Sequence, residues 1–390
     1  MIRQNEMGEP RNARGSLIWY LVSLLPVFGP ATAIALLCLT SSEGSAEPYL
    51  AIREGKSCAA CHVNRTGAGM RNDYGNIYSQ TLLPMKALGK TPPNPIFIPR
   101  LNDSVSLGGA LRVSNQSGFP DEGDDTNGFE INEGNLYVEA RILPDFLTFY
   151  LDQSFGAGGT SSREAFVMVS GAQTKLSFKA GRMILPYGLA VWDDDAFIRR
   201  RTGFNFSVQD IGVQLGWQPP NWDLNATVSN GTQGGTENNK EKQVTASASW
   251  IHPRGRFGGS YTVNRGVGAK RQIAGVSAGV HYGRFDLLGE FDVIQDEDDD
   301  GKLQKHGDQR VAYGEANLLL TQGLSLKFAY DYWDPFTDVG EDQRSMVRFG
   351  VEPFIAPFLQ VRLFYRHREA PPQIERENRD DVFLEVHAFF

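Results

Sequence analysis

From about residue 101 to its end the sequence alternates. Leu147, Phe149 and Leu151 interleave with Thr148, Tyr150 and Asp152, and Leu359, Val361 and Leu363 are set against Gln360, Arg362 and Arg366. Neighbouring side chains on a strand point to opposite faces, so a period of two gives each segment one apolar face and one polar or small face. About sixteen such segments follow one another, centred near Leu107, Val138, Leu151, Val167, Phe178, Val213, Ala226, Ala246, Tyr261, Ala278, Gly289, Glu315, Phe328, Phe349, Leu363 and Leu384. An even number of alternating segments, each roughly ten residues long, is what a single-chain transmembrane barrel requires. The expected fold class is therefore an all-β transmembrane barrel of about sixteen antiparallel strands over residues 101–390.

The connections separate a membrane barrel from a large soluble β-sandwich or propeller, the alternative architectures. Short turns such as Leu143-Pro144-Asp145, Gly171-Ala172-Gln173, Gln218-Pro219-Pro220-Asn221 and Gln322-Gly323 alternate with polar stretches over Ser114–Asn132, Met183–Ser207, Gln295–Asp308 and Arg368–Arg379. A membrane barrel shows this asymmetry because one rim faces the narrow periplasm and the other the outside. Val382, Leu384, Val386, Ala388 and the terminal Phe390 share one face of the last segment, a pattern resembling the carboxyl-terminal signal of outer-membrane proteins. Mean hydropathy of −0.33 argues against a bundle of membrane helices and is compatible with alternating strands. The net charge of −8 offers no basic surplus to displace counterions from phosphates, which excludes a general nucleic-acid binder.

The amino-terminal part reads differently. Arg3, Arg11 and Arg14 precede an apolar run from Leu17 to Leu39, and Gly44-Ser45-Ala46 offers a small-residue cleavage site, so residues 1–46 are expected to be a signal peptide, with an uncleaved anchor helix as the alternative. Cys38 would leave with it. Residues 47–90 form a short segment with helical periodicity, and Thr91-Pro92-Pro93-Asn94-Pro95 with Pro99 marks a stiff linker over 91–100.

Within the short segment stands Cys58-Ala59-Ala60-Cys61-His62. One helical turn brings both thiols to the same side of a porphyrin for thioether formation, and the next residue places an imidazole at the iron. From the chain's own composition this pentapeptide arises by chance roughly once in a few thousand sequences, so it is read as chemistry. A thioredoxin-like pair would need a surrounding βαβ pattern, and a zinc site more cysteine or histidine nearby. The segment is expected to be a small α-helical monohaem cytochrome c unit with one covalent haem c on Cys58 and Cys61 and His62 on the iron. It is too short to bury a core alone, so the haem is expected to supply the apolar centre. Met85 is the candidate distal ligand, Met70 the alternative, and His252, His281 or His367 a further option.

A barrel of this strand number leaves a lumen. The stretch from Met183 to Ser207 carries Trp192-Asp193-Asp194-Asp195 and then Arg199-Arg200-Arg201, and a connection of this length commonly folds inward. Lys179 to Leu189 resembles the strand and loop of phosphate-selective porins, in which arginines guide anions. Arg199, Arg200 and Arg201 are thus channel candidates, with mutual neutralisation by the three acids as the other reading. Asp296, Asp298 and Asp300, followed by Gly301, match the first half of a calcium loop, but position twelve is Gly307, so a divalent cation such as Ca2+ competes with a simply solvated acidic loop.

The haem motif with the following Val63 to Asn76, joined to the alternating region, resembles the fused monohaem cytochrome-porin family, some members of which oxidise ferrous iron at the cell surface. The architecture covers the chain beyond residue 46, and the motif carries over Cys58, Cys61 and His62 but no substrate residue. The resemblance implies electron transfer across the outer membrane of a Gram-negative type bacterium by a haem in or beneath the lumen. It implies an extracellular redox partner such as Fe(II), which would make the protein an iron oxidase. Since one haem does not bridge the whole wall, a periplasmic c-type cytochrome or other electron carrier is expected on the inner side. The alternative is an anion or small-solute porin whose haem is structural or senses redox state.

Overall fold

The computed structural model describes residues 47–86, 96–156, 159–237, 239–266, 269–298 and 308–390. The expected signal peptide, residues 87–90 of the short segment, the first half of the proline-rich linker (91–95) and Asp300 lie outside them.

Sixteen strands form one closed antiparallel barrel. They are β1 (Val105–Pro120), β2 (Thr126–Leu143), β3 (Leu147–Gly156), β4 (Gly159–Ser170), β5 (Leu176–Met183), β6 (Asp210–Trp217), β7 (Trp222–Ser229) and β8 (Gln243–His252). There follow β9 (Gly255–Gly266), β10 (Ala269–Tyr282), β11 (Phe285–Asp298), β12 (Gln309–Thr321), β13 (Leu324–Asp334), β14 (Arg344–Ala356), β15 (Leu359–Glu369) and β16 (Arg379–Phe389). Each pairs with the next, and β16 returns to β1 in a register that sets Arg112 opposite His387. Closure leaves no unpaired edge, the condition for a sheet in hydrocarbon. Every expected segment centre lies within one of these strands, in order.

The barrel is apolar outside and polar inside. Phe149, Phe178, Leu215, Phe257, Phe291, Phe328 and Phe349 are exposed on its outer wall, while Arg112, Glu133, Asp152, Glu164, Asp286, Glu352 and Arg362 are buried inside. Exposed Trp217, Trp222, Tyr282 and Phe285 flank short turns and form part of an aromatic rim. The first long connection is shorter than the sequence suggested, because β1 and β2 continue pairing as far as Gly118 and Thr126, leaving 121–125 between them. The face that carries Phe129 and Ile131 there also carries Asn115, Ser117 and Asn127, so hydrophobic periodicity fades along the extension. Backbone pairing and the Asn115–Asn127 side-chain bonds hold it.

Residues 47–86 fill the lumen at the short-turn end. Helix α1 (Pro48–Arg53) lies against β9, β10 and β11, and Arg53 donates to Asp286 at 2.9 Å. A single 3-10 turn covers Cys58–Ala60. Helix α2 (Asp73–Thr81) is capped by Asn72, whose side chain accepts from the Gly75 amide at 3.0 Å and donates to the Ala59 and Ala60 carbonyls at 3.2 Å. The cap of one helix thereby clasps the cysteine turn. Asn64 donates to Glu164, Lys179 donates to Asn64, and the Tyr150 hydroxyl accepts from the Met70 amide at 2.9 Å. The segment's apolar centre is completed by the barrel wall: Tyr49, Ile52, Val63, Met70 and Leu83 share one core with Tyr150, Phe166, Leu288 and Phe354.

Candidate cofactor cavity in the lumen

A cavity of about 190 Å³, in part open to solvent, lies between this plug and the barrel wall. Cys58, Cys61 and His62 border it from the plug side. Opposite them, Asn225, Ser247, Ser249, Ser260 and Ser277 line it from β7 to β10. Small hydroxyl side chains on the inward face of that quadrant are what leave the space.

Both cysteines are free thiols and partly exposed. Burial pushes the Cys61 thiol up, with Cys58 adding to the effect. Gly67 lies beside them with φ +96°, where a β-carbon would meet Cys58 Sγ at 3.2 Å, so a side chain there would be strained and would crowd the sulfur. The next glycine, Gly69 (φ +63°), lets the chain pass the Tyr150 hydroxyl, which a β-carbon would overlap at 2.2 Å. Burial, reinforced by Arg71, pulls the His62 imidazole down to about 4, so at neutral pH the ring is uncharged and keeps a lone pair to offer. Its Nδ1 is buried without a hydrogen bond of good geometry, although backbone groups of Gly69, Ala68 and Met70 lie close.

Neither candidate thioether lines the cavity. Met70 is buried beside Gly108, in the same core as Tyr137. Met85 is half exposed at the short-turn rim, its amide donating to the Phe354 carbonyl at 2.7 Å. His252, His281 and His367 are also absent from the lining: His252 is exposed at a turn and stacks on Trp250, His281 contacts Asp286, and His367 contacts Asp380. His387 of β16 does line it.

The connection from β5 to β6 folds into the lumen. Its helix α3 (Phe197–Arg200) is seated by the Phe197 amide on Asp331 at 2.9 Å. Asp193 accepts from Arg348 and, at 2.6 Å, from Arg366, and Asp195 accepts from Arg366 and Arg368 at 2.8 Å each. Burial resists ionisation of Asp193, but Arg366 and Arg348 hold its carboxyl well below the usual range. Burial instead raises Asp194 to about 6.

The three candidate arginines separate. Arg200 is exposed and faces Asp195 at 3.5 Å, and Arg201 lies 3.5 Å over the Trp333 ring. Arg199 is 2% exposed, borders the cavity and lies over Phe206. Its nearest acid, Asp194, is 3.9 Å away, and its Nε and Nη2 have no hydrogen-bond partner among the described residues.

At the inner wall Glu47 accepts from Lys327 at 3.2 Å, from Arg362 and from Gln360 at 3.4 Å. Burial opposes its charge, yet Lys327 and Arg362 keep its carboxyl below the ordinary range. In the acidic stretch of β11, Asp296 accepts from Gln309 and faces Arg271 at 3.7 Å, while Asp298 ends the strand opposite Ala269. Among the described residues no group of three or more His, Cys, Asp or Glu is placed to hold a metal ion.

A sixteen-strand barrel with one connection folded into its lumen defines the porin class of fold. Among solved structures, outer-membrane expressed OmpT of Vibrio cholerae matches with a TM-score of 0.56 at 13% identity, covering 75% of this chain and all (100%) of that one. The anion-selective porin of Comamonas acidovorans matches at 0.58 with 12% identity, covering 74% and 99%, and the outer membrane channel DcaP of Acinetobacter baumannii at 0.55 with 10%, covering 73% and 97%. At such identities the likeness is one of fold. No family model and no curated protein matches the chain.

Proposed function

We propose that this is an outer-membrane barrel whose plug holds one covalent haem c and exchanges electrons between the cell exterior and the periplasm. The observation that carries this reading is the placement of Cys58, Cys61 and His62 on a cavity inside the lumen. The donor set fits the group: two thiols one turn apart, an adjacent glycine that leaves room at the Cys58 sulfur, and an uncharged imidazole. Cys58 and Cys61 would hold the macrocycle and His62 the iron. Bound there, the haem supplies one-electron chemistry.

The chain's own residues do the rest. Arg53, Glu47 and Asn64 bind the plug to the wall, and Asn72 orients the cysteine turn. The inward loop narrows the lumen on the outer side. An apolar wall roughly 25 Å tall otherwise separates the two compartments, so a redox centre within the lumen shortens the gap to an extracellular partner such as Fe(II). A periplasmic c-type cytochrome or comparable carrier would exchange electrons at the short-turn rim.

Full-length protein in liposomes tests this. It should pass electrons between an enclosed redox dye and an external donor, and His62→Ala should abolish the transfer; equal rates in the two proteins would refute the proposal.

A second reading is a channel for anions or small solutes, with the haem structural or redox-sensing. The fold likeness to an anion-selective porin favours it, as does Arg199 with two unpartnered nitrogens at the cavity. Planar-bilayer conductance with anion preference that falls in Arg199→Leu would support this reading, and a sealed bilayer would remove it.

A further inference from the structure

Of the five histidines among the described residues, two border the cavity, His62 on the plug and His387 on the barrel wall. His387 is 3% exposed, against exposed or carboxylate-bound positions for His252, His281 and His367. Its Nδ1 lies 3.2 Å from Gln360 Oε1, across the β15–β16 pair in which Gln360 and His387 are register partners. The direction of that bond follows from the third member of the chain. Gln360 Nε2 donates to the Glu47 carboxylate, which only accepts, so the amide presents its oxygen to His387. His387 must then carry its proton on Nδ1 and leave Nε2 with a free lone pair. An imidazole buried at a cofactor cavity, with its other nitrogen donating to a fixed acceptor, has the support that metal-ligating histidines have. The two methionines lack even the placement, since neither lines the cavity.

We infer that His387 would serve, with His62, as a second imidazole ligand to the iron of a haem held on Cys58 and Cys61. The inference rests on the haem reading above and names a residue of the last strand as part of that site. Iron ligation would tie the plug to the barrel wall, and two imidazoles hold the potential below that of a histidine–methionine pair.

The test uses purified full-length protein in detergent, with haem retention on a denaturing gel read first. The wild type should give a low-spin ferric spectrum without a methionine charge-transfer band, and its reduced form should resist carbon monoxide. His387→Ala should keep its haem, become high-spin, bind carbon monoxide at least tenfold faster, and regain the low-spin spectrum when imidazole is added. His387→Met keeps a ligand in place should the alanine variant fail to assemble; it should show the methionine band and a higher midpoint potential. A low-spin, carbon-monoxide-resistant His387→Ala with haem retained, or a His387→Met spectrum unchanged from wild type, would overturn the assignment while leaving the haem reading intact. Absence of covalent haem from the wild type would overturn both, and the gel distinguishes that case.

Discussion

Replacing Glu47 by alanine should loosen the plug. The Glu47 side chain is 10% accessible and accepts from Lys327, Arg362 and Gln360. Removing one partner of a buried ion pair costs about 3–5 kcal/mol. The wall lessens this, because Lys327 keeps Glu352 at 3.2 Å and Glu315 at 3.6 Å, and Arg362 keeps Glu385, so neither cation is stranded. The low end applies, about 3 kcal/mol, or roughly a hundredfold shift in the ratio of docked to undocked plug at about 1.4 kcal/mol per decade. Hydrogen exchange of the helix α1 amides reads that ratio directly when reclosing outpaces exchange. Exchange over residues 50–56 should accelerate about a hundredfold in Glu47→Ala, by less in Glu47→Gln, and not at all in the distant β6–β7 amides. A double-mutant cycle with Lys327→Met should show positive coupling. Rates within twofold of wild type in Glu47→Ala would mean the luminal charge network does not hold the plug, and the argument from ion pairing would fail.

Three further outcomes follow from the same geometry. Gly67→Ala, which forces a β-carbon to 3.2 Å from Cys58 Sγ at a positive φ, should lower covalent haem per barrel severalfold, measured by haem stain against protein; undiminished attachment would argue against the cavity as the porphyrin site. The inward loop should resist acid: its Asp193 carboxyl is held below the ordinary value, so the stabilisation is fully present above the unfolded carboxylate pKa near about 3.9 and is lost as pH falls further, through the folded value. Limited proteolysis of the loop should therefore begin only below about pH 4, whereas Asp193→Asn, which weakens two charge-assisted bonds of about 1.5–3 kcal/mol each, should expose it at neutral pH. Gly69→Ala, whose β-carbon would overlap the Tyr150 hydroxyl, should destabilise the plug, and Tyr150→Phe in the same chain should relieve part of the clash, as read by α2 amide exchange.

Why the barrel was legible and the site only half so is a matter of which physical signal each residue carries. Lipid imposes the period of two on every strand, so alternation located all sixteen. The extensions of β1 and β2 beyond the apolar band escaped, since backbone pairing there needs no apolar face. The cysteine motif stands out because two cysteines and a histidine at that spacing are rare in a chain with three cysteines and six histidines. The other residues that line its cavity did not, since Glu47, Gln360 and His387 lie far apart in sequence and meet only once the barrel closes. Parity nevertheless held part of the answer. Val382, Leu384 and Val386 face outward, so Asp381, Glu385 and His387, between or beside them, had to face the lumen. The apolar face of the terminal segment carries the membrane signal, and its other face carries the His387 imidazole. Met85 illustrates the converse: a linear separation suitable for reaching around a ring says nothing once the plug has no independent core. The barrel's inner wall decides what surrounds the cavity, and it leaves Met85 half exposed at the rim and buries His387 on the cavity that the cysteines also border.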